Sequence, residues 1–329
     1  MIPQQLIQSL QNIIGFEENS FLEVHHSANQ ITSVRVNNLK GEWVNSEWEF
    51  EIQEVETNQH QTPNVKQNKN SIPWCKYGFY LNERPSFTFD PIFHAGAYYV
   101  QEASSMFLWE VLRQTIDDNT QKTVLDLCAA PGGKSTLLAS YFTNGFIVSN
   151  EVIKQRAAVL VENITKWGAN NIVVTNNDPK DFKNLQQFFD VVVVDAPCSG
   201  SGLFRKDKQA IDEWSIDNVN LCSLRQQRIV ADIANCINED GILIYSTCSY
   251  SKAENEDILD WIIEEFGFKP IALQLQNEWG IVETISDKHK AFGYRFYPDK
   301  VKGEGFFIAA FKKENVANTL VKFKESQLI

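Results

Sequence analysis

No stretch of this 329-residue chain approaches the roughly 18 uninterrupted apolar residues that a membrane-spanning helix needs. Its first residues, Met1-Ile2-Pro3-Gln4-Gln5, lack the basic start of a secretory signal, so a cytoplasmic protein is expected. Cysteine is scarce, at 6 residues, and no two stand as Cys-x-x-Cys. That excludes half of a common zinc site and argues against a disulfide scaffold, leaving reduced thiols with room for chemistry and no metal. Basic residues are in deficit, 30 Lys+Arg against 42 Asp+Glu, for a formal net charge of −12. Such a chain does not bind long polyanions indiscriminately, so a nucleic-acid partner would need a local basic surface. Neither an internal repeat nor a low-complexity segment is present. What the chain does have is core material, with 43% hydrophobic against 22% charged residues. At about 150 residues per domain, two unequal domains are expected.

Ile-Thr-Ser-Val-Arg-Val-Asn from Ile31, then Glu-Trp-Val-Asn-Ser-Glu-Trp-Glu-Phe up to Phe50, alternate apolar and polar residues as half-buried strands do. A small α+β domain over residues 1–85 is predicted there, with an RNA-binding role. Thr57 to Ser71 is almost free of apolar residues and reads as an exposed loop, in which Lys66 and Lys69 are solvated or touch a phosphate backbone.

From about residue 121 short apolar runs alternate with helical periods, the pattern of strands joined by crossover helices. Val124 to Leu127, Phe146 to Val148, Ile172 to Val174, Val191 to Val194 and Ile242 to Tyr245 are the predicted strands. The fold class is therefore α/β, with a doubly wound, mostly parallel, Rossmann-like sheet in a domain over residues 86–312. Ile153, Ala157, Leu160, Val161 and Ile164 recur at helical spacing before Gly168, a C-terminal cap. Ser251 and Glu254 have the Ser-x-x-Glu spacing of a capping box ahead of Ile258, Trp261 and Ile262. Phe306 to Phe311 is a late strand, and residues 313–329 form a polar tail.

The first of these strands runs into Asp126-Leu127-Cys128-Ala129-Ala130-Pro131-Gly132-Gly133-Lys134-Ser135-Thr136. Glycines without a Cβ and the unpaired N–H groups of a helix start let backbone approach a ligand, as in nucleotide sites. The spacing matches neither the dinucleotide nor the triphosphate fingerprint. Glu151, 25 residues after Asp126, ends the second strand, where a carboxylate can accept both hydroxyls of a ribose. Asp178 follows the third strand and can accept an adenine amino group. A plain glycine turn with two solvent-facing acids is the competing reading, weakened because both acids stand at strand ends.

Asp195-Ala196-Pro197-Cys198-Ser199-Gly200 ends the fourth strand and Tyr245-Ser246-Thr247-Cys248-Ser249 ends the fifth. If these strands are neighbours, both thiols open onto one crevice. A thiol suits attack on an electron-poor ring, being soft, partly ionised near neutral pH and able to leave again. Cys222, Cys236 and Cys75 fit the ordinary fate of cysteine, burial. Cys128 belongs to the glycine loop, where its backbone matters more than its sulfur.

These blocks, with Tyr98-Tyr99-Val100-Gln101-Glu102-Ala103-Ser104-Ser105-Met106, resemble the RNA (cytosine-5) methyltransferase family of the Sun/Fmu (NSUN) type. The resemblance runs from about Arg84 to Lys312, and weakly through the N-terminal domain. It implies S-adenosylmethionine held by Cys128, Ala129, Ala130, Pro131, Gly132, Gly133 and Lys134, with Glu151 on the ribose and Asp178 near the adenine. It also implies Cys248 as the nucleophile at carbon 6 of cytosine, Cys198 as the group that assists removal of the carbon-5 proton, and Asp195 against the pyrimidine edge. The target base must leave its stack to enter. The Gln-Glu-Ala-Ser-Ser-Met block and the stretch Gly202 to Asp207 are most similar to the bacterial small-subunit ribosomal branch, with transfer RNA as the alternative substrate.

Two departures stand out. Arg295-Phe296-Tyr297-Pro298-Asp299 resembles a block that usually carries His after Pro. The chain also ends soon after the last strand, where bacterial members often continue into a further RNA-binding domain, so a compact member or a fragment is expected, and a monomer. Arg205, Lys206 and Lys208 are the expected phosphate contacts, with a solvated basic loop as the alternative; Arg225 and Arg228 are expected to be surface charges on a helix. A nicotinamide oxidoreductase on the same fold is opposed by the Pro131-Gly132-Gly133 spacing and by the paired thiols. A catalytically silent RNA-binding scaffold requires loss of a key residue, and none is lost.

Overall fold

The computed structural model describes residues 2–27, 30–40, 70–116 and 121–314. Two helices, Gln4–Leu10 and Glu18–His26, open the chain. A small antiparallel sheet follows in the order β2-β1-β3, from β1 (Thr32–Val36), β2 (Gly78–Leu81) and β3 (Tyr98–Val100). It reaches past the division at residue 85. The expected strand over Glu42 to Phe50 and the loop bearing Lys66 and Lys69 lie outside the described residues.

Strand β1 departs from its sequence pattern. Alternation predicts one face in water, yet all five residues are buried. The polar face packs against the larger domain, where Arg35, wholly enclosed, donates from Nε to Gln101 Oε1 at 2.9 Å and from Nη2 to Gly133 O at 3.3 Å and Thr136 Oγ1 at 2.5 Å. Its guanidinium also lies 4.5 Å from the Trp167 ring centre. Burial lowers its pKa to about 10. The polar residues of β1 are thus an interface between domains.

The five predicted core strands form a parallel array in the order β6-β5-β4-β7-β8. They are β4 (Thr123–Asp126), β5 (Phe146–Asn150), β6 (Ile172–Thr175), β7 (Phe189–Asp195) and β8 (Ile237–Thr247). Val191 to Val194 are fully enclosed, as unbroken apolar runs must be when helices cover both faces of a sheet. Beyond β8 the sheet turns antiparallel through β12 (Phe306–Lys312), β11 (Phe292–Phe296) and β10 (Val282–Ile285), with the short β9 (Lys269–Pro270) also on β12. Since β4, β5 and β6 step one way and β7 and β8 the other, the order reverses between β4 and β7. A crevice opens at their carboxyl ends.

Helix Lys154–Trp167 ends at Gly168 with φ +78°, the left-handed cap its sequence predicts. Ala157, Leu160 and Ile164 face inward, while Ile153 and Val161 are exposed. Among the described residues no helix is long and apolar enough to cross a membrane, and no cluster of three or more His, Cys, Asp or Glu could hold a metal.

The antiparallel edge is locked to helix Glu256–Phe266 by a buried ion pair. Arg295 Nε and Nη2 donate to Glu256 Oε1 and Oε2 at 2.7 and 2.5 Å, Thr284 Oγ1 donates to Oε1 at 2.6 Å, and Arg295 Nη1 donates to Tyr250 O at 2.7 Å. Burial pushes the Glu256 carboxyl up, but Arg295 more than offsets this and holds it below the ordinary range. Asp299, at the position after Pro298, keeps a polar role by accepting from Ser20 Oγ at 2.7 Å, which ties the second helix to this edge. Glu256→Gln should cost about 3–5 kcal/mol in urea unfolding, because it strands a buried guanidinium, whereas Glu256→Leu with Arg295→Met should recover most of that. Equal losses in the single and double variants would show that packing, and not the charge pair, is what matters there.

Candidate active site

The glycine loop is fixed by both neighbouring strands. Leu127 N–H donates to Val193 O of β7 at 3.0 Å and Ala129 N–H to Asn150 O of β5 at 2.8 Å. Asn150, wholly buried, adds side-chain bonds to Leu127 O at 3.2 Å and Asn177 O at 3.0 Å, knitting three loops together. Gly132 has φ +115°, a region that disfavours any side chain, and turns the loop into helix Gly133–Tyr141. Beside it lies a cavity of ≈180 Å³. One wall is Tyr99 from β3 with Gln101 and Glu102 just after it; the other is Cys128 to Pro131, Gly133, Lys134 and Asp195.

Two buried carboxylate oxygens in this region accept no hydrogen bond among the described residues. They are Asp126 Oδ1 and Glu151 Oε2. The other Asp126 oxygen accepts from Ser135 Oγ at 2.6 Å, and burial pushes the carboxyl up to about 7. Glu151 Oε1 accepts from Ile153 N–H at 3.0 Å, and Oε2 lies 3.3 Å from Arg156 Nη1. Glu151 thus stands at the end of β5, as expected, with acceptor capacity in hand. Asp178 is partly engaged, capping the next turn by accepting from Lys180 N–H at 3.2 Å. Neither Glu151 nor Asp178 lines the cavity itself.

Strands β7 and β8 pair in parallel, placing Asp195 beside Ser246. Asp195 Oδ2 lies 2.8 Å from Lys134 Nζ, and Oδ1 accepts from Ser246 Oγ at 2.8 Å. This carboxylate therefore faces the cavity with its orientation held from two sides. Just beyond, Cys198 Sγ and Cys248 Sγ are 2.9 Å apart. Both thiols are half-buried, and Cys75, Cys222 and Cys236 are buried as expected. The Cys198 thiol is pushed well above its ordinary range by its hydrogen bond to Cys248 and by burial. The Cys128 thiol is also pushed up, by burial.

Two expectations fail here. Ser251 and Glu254 form no capping box: Ser251 makes no side-chain cap bond, and Glu254 turns inward to the cysteine loops. Uncapped polar donors in those loops draw the carboxylate away from the helix end. Arg205 is no phosphate contact, since its side chain is only 4% exposed and bonds to Gly303 O at 3.2 Å and Glu304 Oε2 at 3.4 Å. A buried Glu304 needs that cation more than solvent does. Lys206 and Lys208 are exposed, with Lys206 Nζ 4.0 Å from Glu304 Oε1, and Arg225 and Arg228 lie on the surface of helix Ile216–Ile233. In the sequence Arg35 has no expected role, Gln101 stands only within the Tyr98 to Met106 block, and Glu254 has the spacing of a helix cap; the one sign at Arg35 is a charged residue within a predicted strand.

Residues 113–312 match the family model described as 16S rRNA methyltransferase RsmB/F, and residues 2–103 match the N-terminal domain of 16S rRNA methyltransferase RsmF. The chain belongs to this family. Ribosomal RNA small subunit methyltransferase F of Psychromonas ingrahamii is 38% identical over 249 residues, covering 74% of this chain and 51% of that protein. The Aliivibrio fischeri protein of the same description is 33% identical over 293 residues, covering 86% and 58%. The chain thus spans little more than half the length of the curated relatives it matches. Among solved structures, a methyltransferase homolog from Pyrococcus horikoshii superposes with a TM-score of 0.71 at 26% identity, covering 95% of this chain and 100% of that one. NSun6 from the same organism, solved with SFG, an analogue of S-adenosylmethionine, gives 0.73 at 20%, covering 95% and 98%. The fold is that of the S-adenosylmethionine-dependent methyltransferases.

The raised Asp126 pKa sets a pH dependence. Its carboxyl is neutral more readily in the folded chain than in the unfolded one, so its contribution is fully present below about pH 4 and is lost as pH rises through about 7. Asp126→Asn should remove a fall of the order of 3–4 kcal/mol between those limits. Urea unfolding of both proteins across that range reads the difference, and parallel slopes would assign the titration to another group.

Proposed function

We propose that this chain is an S-adenosylmethionine-dependent methyltransferase that modifies carbon 5 of a cytosine in small-subunit ribosomal RNA through a covalent Cys248–cytosine adduct. The observation that carries the reading is the pair of sulfurs, 2.9 Å apart, on the loops that leave the paired residues Asp195 and Ser246, with Asp195 and its partner Lys134 lining the glycine-loop cavity. A fit to the cofactor is supported by the loop residues Cys128 to Pro131 and Gly133 that line the cavity, and by the buried acceptor atoms of Asp126 and Glu151 that take no hydrogen bond among the described residues. When bound, the cofactor supplies an electrophilic methyl group.

The residues then divide the work. Cys248 as thiolate adds to carbon 6 of the extruded base, which raises electron density at carbon 5. Asp195, oriented by Lys134 and Ser246, accepts from the amino edge of the pyrimidine and so holds the ring in place for the addition. After methylation the carbon-5 proton must leave before the carbon 6–sulfur bond can break. Once Cys248 is bound in the adduct and no longer holds the Cys198 proton, Cys198 gives that proton to solvent and takes the carbon-5 proton. The bonding pair of that proton forms the carbon 5–carbon 6 double bond as Cys248 departs with the electron pair of its own bond. Lys206 and Lys208 remain available to phosphates, and the small N-terminal sheet forms the adjoining RNA face.

The thiol roles are separable. Cys248→Ala should abolish methyl transfer and adduct while cofactor affinity stays within experimental error. Cys198→Ala should accumulate an RNA–protein adduct that survives denaturing electrophoresis, and the double variant should form none. An adduct in Cys248→Ala but not in Cys198→Ala would exchange the roles. Glu151→Ala should weaken S-adenosylmethionine in calorimetry by about 1–3 kcal/mol, with no change meaning that the ribose lies elsewhere. Mapping 5-methylcytosine in cells with and without the gene distinguishes ribosomal from transfer RNA.

A further inference from the structure

The two reactive sulfurs sit on irregular backbone beyond their strands, so strand pairing alone does not bring them together. Glu254 does much of what remains. Its Oε1 accepts from Ser199 N–H at 2.8 Å and from Gln226 Nε2 at 3.1 Å; its Oε2 accepts from Ser199 Oγ at 2.5 Å and Ser249 Oγ at 2.6 Å. Ser199 follows Cys198 and Ser249 follows Cys248, so one carboxylate grips the residue after each thiol. Gln226 Nε2 also donates to Pro197 O at 3.0 Å, on the other side of Cys198. The neighbouring Asn255 accepts from Thr247 Oγ1 at 2.7 Å and donates to Ser249 O at 2.8 Å, bracketing Cys248. Gly202 N–H, bonded to Cys248 O at 2.8 Å, is a further tie between the loops, but it leaves the side-chain directions open.

We infer that Glu254 is a positioning residue that fixes the spacing of Cys198 and Cys248, and through it the hand-over from adduct formation to elimination. A carboxylate with four donors is suited to this, because charge-assisted bonds in an enclosed site are short and stiff, and three of the four come from the two loops, the fourth from Gln226 on helix Ile216–Ile233. A merely structural carboxylate of similar burial is available for comparison. Asp260 accepts from Ser286 Oγ at 2.7 Å and from His289 N–H at 2.8 Å, away from the thiols. The consequence for catalysis rests on the cysteine roles proposed above; the consequence for sulfur spacing does not.

The test uses the full chain as Glu254→Gln, Glu254→Ala and Asp260→Asn. Diazenedicarboxamide, added without RNA or cofactor, takes two electrons and two protons from a close thiol pair as the S–S bond forms, and peptide mapping scores the Cys198–Cys248 bridge. The bridge should form about tenfold or more slowly in Glu254→Ala, at an intermediate rate in Glu254→Gln, and at the parent rate in Asp260→Asn. In methyl transfer, kcat should fall by about tenfold or more in Glu254→Gln with KM for RNA unchanged, while Asp260→Asn changes only unfolding. A parent bridging rate in Glu254→Ala, or in Glu254→Gln should Glu254→Ala not fold, overturns the inference. So does an equal slowing in Asp260→Asn. If Cys198→Ala yields no RNA adduct, the cysteine chemistry fails, and the bridging rates still decide the role of Glu254.

Discussion

Everything chemical in this protein depends on the reversal of strand order between β4 and β7. Because all five parallel strands run the same way, their carboxyl ends share one edge, and the reversal leaves that edge open at a single place. The glycine loop leaves β4 there, Asp195 and Cys198 leave β7, and Cys248 leaves β8 one strand further on. Residues far apart in sequence meet without any loop having to travel. The antiparallel strands beyond β8 close the far side, and their buried pair of Arg295 and Glu256 holds the backbone at Tyr250, two residues past Cys248.

The parallel sheet was legible because its strands are buried on both faces and so appear as unbroken apolar runs. The positions of the glycine loop, of the acids and of the two cysteines were legible because each follows closely on the end of a predicted strand. Interactions between polar groups were not. Ser251 and Glu254 have the spacing of a helix cap, but spacing cannot reveal that serines on two other loops offer better donors. Arg205 looked like a surface charge because nothing local announces Glu304, distant in the chain and needing a cation. The alternation in β1 was real, yet its polar face meets a second domain in place of water.

The strand-end acids illustrate a different limit. Glu151 lies where it was expected, but its partners include Ile153 N–H and Arg156, so its geometry reflects the start of the next helix as well as any ligand. Asp178 likewise serves the turn that follows it. Both carboxylates thus serve the turn that follows them, an engagement that their place at a strand end did not announce.

Arg35 gives the N-terminal domain a meaning beyond that of an appendage. Its side chain is anchored on Gly133 O and Thr136 in the helix that begins at the glycine loop, and Tyr99 of β3 with Gln101 just beyond it forms the opposite wall of the cavity. The ligand chamber is therefore a seam between two folding units. A ligand held by both walls adds to the cohesion of the docked form, so occupancy and domain docking are linked equilibria.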